Sequence, residues 1–108
     1  VGNSLRLSGH TGEDADGVFA ADVEDQIRGA FRNTTSTLVA AGVQWSDVVE
    51  IHSYHVGLSR QGAALLRIAA EFLEAPYPAW TAVGVVELFS PRAVVEIRCI
   101  AVREDRHQ

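Results

Sequence analysis

The sequence predicts an α+β domain in which two helices lie on one face of a single sheet. Three observations predict it. Apolar residues recur at three- or four-residue intervals in two stretches, the marks of two amphipathic helices. The segments between and after them are rich in β-branched and aromatic residues, as strands are. Finally, the last two strand segments are apolar on both sides, and two helices cover only one side of a sheet.

Taken in order, Asn3 to Ser8 alternates loosely and reads as a strand, and the acidic, Gly-rich stretch 9–17 reads as a loop. Asp22 is placed as an N-cap, followed by Val23, Ile27, Phe31, Thr34 and Leu38 on one stripe of a helix that should stop at Gly42. Asp47 to Val56 reads as a second strand. Ser59 is placed as the cap of a second helix, with Leu65, Ile68, Phe72 and Leu73 on its buried face and Pro76 and Pro78 ending it. Ala79 to Leu88 and Ala93 to Val102 read as two strands, and a short turn through Ser90 and Pro91 should make them antiparallel neighbours. Residues 103–108 read as a polar tail.

On the last strand Val95, Ile97, Cys99 and Ala101 point one way, and Val94, Glu96, Arg98, Ile100 and Val102 the other. Since the helices hide one of these faces, the other is expected to be covered by self-association. A homo-oligomer follows.

A chain of 108 residues with 47% hydrophobic content suffices for one domain with a core of its own, so residues 1–108 read as a single domain. A net charge of −5 argues against a nucleic-acid partner, because phosphate affinity rests on Lys and Arg. All nine basic residues are Arg, which removes Schiff-base chemistry on a Lys. The single Cys99 has no internal disulfide partner, which suits a reducing compartment and gives cytoplasm as the default. No apolar run approaches the length of a membrane span, and no cofactor motif is present. His52 and His55, three apart on a strand, leave opposite faces and do not chelate one ion, so no metal site is expected.

Several segments carry a resemblance. Leu5-Arg6-Leu7-Ser8-Gly9-His10, Gln26 and Asn33 in the first helix, Ala40-Ala41-Gly42 before Asp47-Val48-Val49, Pro78-Ala79-Trp80-Thr81-Ala82, and Val94-Val95-Glu96-Ile97 follow one another in an order and spacing similar to the Rid family, also called YjgF or the endoribonuclease L-PSP type. The resemblance covers nearly the whole chain. It implies a chorismate-mutase-like fold, a homotrimer with a central barrel, clefts between subunits that take a small-molecule ligand, and a further strand ahead of Val1. The activity it implies is hydrolysis of amino-acid-derived imines.

Carried over residue by residue, the resemblance makes Glu96 the catalytic carboxylate that orients or activates water, and Ser8 and Gly9 parts of the cleft wall. His10 stands where Gln is usual, and Ala82 where many members have Cys. Trp80 replaces the Arg that typical members use to hold a substrate carboxylate. That exchange removes a charge-assisted grip worth roughly 1.5 to 3 kcal/mol and substitutes an aromatic surface for it. A neutral, planar or cationic group can stack on an indole; equally, the ring can simply fill the cleft or an interface. For Glu96 a neighbouring Arg98 or Arg6 would make it a structural ion pair rather than a base. The leading expectation is a Rid-type hydrolase or deaminase acting on an imine, enamine or related C–N bond. The alternative is a non-catalytic, ligand-binding or regulatory trimer, and an endoribonuclease ranks third.

Overall fold

The computed structural model of the protein describes residues 3–103. Of the tail expected at 103–108, residues 104–108 lie outside the described residues, as do residues 1 and 2. Four strands and two helices follow in the order β1 (Ser4–Arg6), α1 (Val23–Ala40), β2 (Val48–His55), α2 (Leu58–Ala69), β3 (Ala79–Gly84) and β4 (Val95–Val102). A short 3-10 turn, Trp45–Asp47, leads into β2.

Helix α1 begins and ends where its residues require. The Asp22 carboxylate accepts a hydrogen bond from the Glu24 N–H at 2.8 Å, and Glu24 and Asp25 place negative charge at the positive end of the helix dipole. At the other end Gly42 takes φ +81°, a conformation that favours glycine, while its N–H donates to the Val39 carbonyl and that of Val43 to Leu38. This is the Schellman arrangement, and Val43 is buried together with Leu38 as that motif favours.

Helix α2 starts earlier than Ser59 suggested. Gly57, at φ +81° and with no side-chain cap, turns the chain directly out of β2, so Ser59 lies inside the helix. The helix also stops at Ala69, before Phe72 and Leu73. Both still pack inward: Leu73 is buried, and Phe72 stacks on Phe31 with ring centroids 5.1 Å apart.

The strand order is β1-β4-β2-β3, with β1–β4 and β4–β2 antiparallel and β2–β3 parallel. The expected hairpin between the last two strands is therefore not formed. Helix α2 serves as the crossover that sets β3 parallel beside β2, and a parallel pair cannot be closed by a tight turn. The connection 85–94 then crosses to the other side of β2. It is held by buried amides. Gln26 accepts from the Val94 N–H at 2.9 Å and donates to Ala20 and Arg92 carbonyls, and Gln61 donates to Val56 and Val94 carbonyls. These bonds satisfy backbone groups that leave the sheet at its crossover.

Both helices cover the face that carries Val95, Ile97, Cys99 and Ala101, each fully buried, with Ile27, Phe31, Leu38, Ile51 and Ile68 completing the core. The opposite face is bare, but it is not the apolar surface expected. Strand β2 sits at its centre and contributes Glu50, His52 and Tyr54, opposite Ile100, Arg98 and Glu96. Besides Ile100, Val83 and Val102 are apolar there, both a little over a third exposed. The most exposed apolar side chains, Val86 and Phe89, lie on the connection 85–94 instead.

Two glycines of the helices give opposite expectations. A Cβ at Gly29 would stand 2.6 Å from the Gly12 carbonyl oxygen, where α1 and the loop backbone meet, whereas one at Gly62 meets nothing within 4 Å. Gly29→Ala is expected to lower unfolding free energy by about 1–3 kcal/mol, as overpacking does. Gly62→Ala is expected to raise it by about 0.4–1 kcal/mol. Urea denaturation of the two variants beside the parent reads both signs.

Candidate functional site

Between β1 and β4 the register slips by one residue. Leu5 pairs with Ala101 and the Leu7 N–H reaches the Cys99 carbonyl at 2.9 Å, yet His10 exchanges both of its backbone bonds with Ile97. The extra residue lies at Ser8 and Gly9, a bulge of the kind that re-aims side chains at a sheet edge. Its consequence is steric. A Cβ on Gly9 would lie 1.9 Å from Oε2 of Glu96, so the carboxylate rests directly on the glycine backbone and no larger residue fits beneath it.

Glu96 is half-buried on the bare face, across the ladder from Tyr54. Among the described residues its carboxylate has no hydrogen bond or ion pair, and neither Arg6 nor Arg98 closes on it. Those two arginines, with Ser8 and Ile100, line a shallow hollow of about 230 Å³ nearby. Glu50 instead pairs with His52 at 2.7 Å on the same face. Ser8, Gly9 and Glu96 thus form one group, with cationic neighbours and an unpaired carboxylate.

Trp80 and Ala82 belong to the other side of the sheet. They pair with Ile51 and Ser53 of β2, whose side chains face the helices, and β3 is the outermost strand. The Trp80 ring stands edge-on to Phe31, with centroids 6.2 Å apart, and its Nε1–H donates to Ser53 Oγ at 2.8 Å. It also lines a groove of about 260 Å³ with Leu66, Ala69, Leu73, Tyr77 and Pro78. Within one chain, then, Trp80 and Glu96 lie on opposite faces, with β2 between their strands.

His10 is apart from both groups. Being paired with Ile97, its side chain turns toward α1, where Nε2 lies 2.7 Å from Thr37 Oγ1, while Nδ1 is buried with no partner among the described residues. His52 and His55 leave opposite faces of β2, as strand parity requires. Burial raises the Cys99 thiol to about 11, which keeps it protonated and unreactive near neutral pH.

Sequence reasoning passed over one polar group. Ser53 and His55 are fully buried on the core face of β2 and meet Gln61 of α2, likewise buried. His55 Nε2 lies 2.8 Å from Ser53 Oγ and Nδ1 2.8 Å from Gln61 Oε1. The signal was present as two polar residues at consecutive inward positions after Ile51.

A mixed four-stranded sheet with two helices on one face is the YjgF/RidA fold. The chain belongs to the Endoribonuclease L-PSP family, whose sequence profile matches residues 1–103. It is 39% identical over 88 residues to the RutC family protein YjgH of Escherichia coli K12, covering 81% of this chain and 67% of that protein. It is 33% identical over 106 residues to a 2-iminobutanoate/2-iminopropanoate deaminase of Dermatophagoides farinae, covering 96% and 81%. The crystal structure of RidA from the Antarctic bacterium Psychrobacter sp. PAMC 21119 superimposes with a TM-score of 0.89 at 33% identity, covering 95% of this chain and 83% of that one. None of the helices is long and apolar enough to cross a membrane among the described residues.

Burial lowers the pKa of His55 against an opposing contribution from its bond to Gln61. As pH falls below about 6.5 the unfolded chain takes up this proton before the folded one does, so stability present at neutral pH declines toward the folded pKa. The slope from His55 is at most about 1.4 kcal/mol per pH unit. Urea unfolding between pH 7 and 5 should show a steeper loss in the parent than in His55→Asn; equal slopes would remove His55 as the cause.

Proposed function

We propose that the protein is a small-molecule hydrolase or deaminase of the Rid type, acting on an imine, enamine or related C–N bond in a cleft between two copies of the chain. The observation that carries this reading is the Glu96 carboxylate, half-buried over Gly9 and left without a partner beside two arginines. A structural carboxylate in that setting would be paired. The similarity to a protein named as a 2-iminobutanoate/2-iminopropanoate deaminase supports the reaction class.

The chemistry asks for little. Glu96 accepts a proton from water as the oxygen attacks the imine carbon, and returns it to the nitrogen. The hydroxyl proton of the resulting carbinolamine then passes to the nitrogen as the C–N bond breaks, leaving a carbonyl product and ammonia. Since such imines already hydrolyse in water, positioning and proton transfer are the protein's contributions.

The opposite placement of Trp80 and Glu96 supports a cleft built by two copies. If the free edge of β3 from one copy lies against the bare face of the next, Trp80 and Ala82 of the first come to the same crevice as Ser8, Gly9 and Glu96 of the second. Three such contacts close a ring and make the homotrimer with its central barrel, the bare faces turned inward. Exposed Val86 and Phe89 beside the β3 edge are supplied with a neighbour by the same arrangement. His10, under α1, then acts only through the loop it anchors. A reducing, cytoplasmic setting suits the unpaired Cys99.

Imino acids generated in place by an amino-acid oxidase provide the assay, read as ammonia release. The native protein is expected to accelerate it, and Glu96→Gln to reduce kcat by about 100-fold or more with the assembly intact. Trp80→Arg should improve turnover of 2-iminopropanoate by restoring a carboxylate grip. No acceleration by the native protein, with activity appearing in Trp80→Arg, would assign the native cleft a different ligand. In sedimentation the particle should have three times the chain mass. A folded monomer at micromolar concentration would remove the cleft.

A further inference from the structure

The indole of Trp80 is held by a hydrogen-bond chain whose proton positions are fixed at every link. Gln61 Nε2 faces two carbonyl oxygens, those of Val56 at 2.9 Å and Val94 at 3.1 Å, so this atom is the amide nitrogen and Oε1 the acceptor. His55 Nδ1, 2.8 Å from that Oε1, therefore carries a proton. Burial favours the neutral ring, which leaves Nε2 as an acceptor for the Ser53 hydroxyl at 2.8 Å. The Ser53 oxygen in turn accepts from the Trp80 Nε1–H, also at 2.8 Å. An indole has a single donor and no acceptor. Its one polar atom is thus committed inward, and the surface it offers to a ligand is carbon.

Three linked polar residues deep in a largely apolar core are a poor way to gain stability, since apolar side chains of similar shape would do as well. What a fully satisfied buried network does provide is a fixed geometry. This one ends on the residue that stands where the family pattern has its carboxylate-binding Arg.

We propose that Ser53, His55 and Gln61 are positioning residues for Trp80, holding its ring so that the cleft selects imines with a planar, uncharged side group over those of small imino acids. The selectivity half of this rests on the reading of the cleft given above; the positioning half does not. The groove beside the ring, about 260 Å³, has room for a six-membered ring, given that a cavity of about 150 Å³ holds benzene.

Two measurements test the two halves separately. The first is hydrogen exchange at the indole N–H groups in ¹⁵N-labelled protein, where Trp45, donating to Thr35 at 2.8 Å, is an internal control. Ser53→Ala is expected to speed exchange at Trp80 by about five- to tenfold, the worth of one hydrogen bond, while Trp45 stays as it was and Ser53→Thr restores the parent rate. Unchanged exchange at Trp80, or equal acceleration at both rings, overturns the positioning role. The second is the ratio of kcat/KM for the imine of phenylalanine to that for the imine of alanine. It should exceed one in the native protein and fall about fivefold or more in Ser53→Ala, through KM. Trp80→Phe, which removes the donor without touching the buried chain, should lower the ratio in the same direction. A ratio that stays constant in both variants overturns the selectivity role. If the native protein turns over neither imine, the hydrolase reading and the selectivity half fall together, and indole exchange still decides whether the chain holds the ring.

Discussion

Strand parity in β4 is the constraint from which the rest of the molecule follows. Val95, Ile97, Cys99 and Ala101 are driven fully under the helices, so the residues between them must emerge on the side no helix covers. Glu96 is one of them. Nothing local needs to place it there, because the burial of Val95 and Ile97 on either side of it leaves it no other face. The bulge at Ser8 and Gly9 then provides the space over which its carboxylate lies. Core packing and site geometry are in this sense one decision, made by alternation along a single central strand.

The same alternation explains what the sequence revealed and what it withheld. Helix α1, its Asp22 cap and its stop at Gly42 were legible because capping and left-handed glycine are local effects, settled within a few residues. The faces of β4 were legible for the same reason. Strand order was not, since the choice between a hairpin of β3 with β4 and a crossover around β2 depends on pairing energies between distant segments. The consequence reaches the bare face: a β3 beside β4 would make it apolar, whereas β2 sets Glu50, His52 and Tyr54 in its middle. The same pairing would hide the separation of Trp80 from Glu96. The sequence marks His55 only as a metal-ligand candidate and Ser53 not at all, because a buried polar residue reveals itself only through its partners, and Gln61 lies on another element.

Trp80 has more structural support than a residue on an edge strand needs. A lone tryptophan at an edge strand can pack in several rotamers against whatever apolar carbon is near. Here Phe31 meets its edge and Ser53 takes its N–H, so the ring is defined in both tilt and rotation. Two buried glutamines do related work on backbone rather than side chain: Gln26 and Gln61 both bind the connection 85–94, the segment that carries the chain from β3 over to β4. Helix α1, helix α2 and the crossover are tied together at Val94, and through Gln61 this point also meets His55. The indole and the crossover are therefore linked by a continuous path of hydrogen bonds through the core.

Glu96 presents the contrary case, a charge given no partner although partners are near. Arg6 and Arg98 share its face, and Glu50 shows that a carboxylate on this surface does find a partner, its Oε2 lying 2.7 Å from His52 Nε2. An exposed ion pair contributes at most about 1 kcal/mol, so leaving Glu96 unpaired costs the fold little. It matters far more to a bound molecule, because a carboxylate already engaged by guanidinium has to break that contact before it can accept a proton from water. The glycine beneath it serves the same end, since any side chain at position 9 would displace the carboxylate it now supports. A residue held by sterics instead of by charge keeps its oxygens available, as the proposed proton transfer requires.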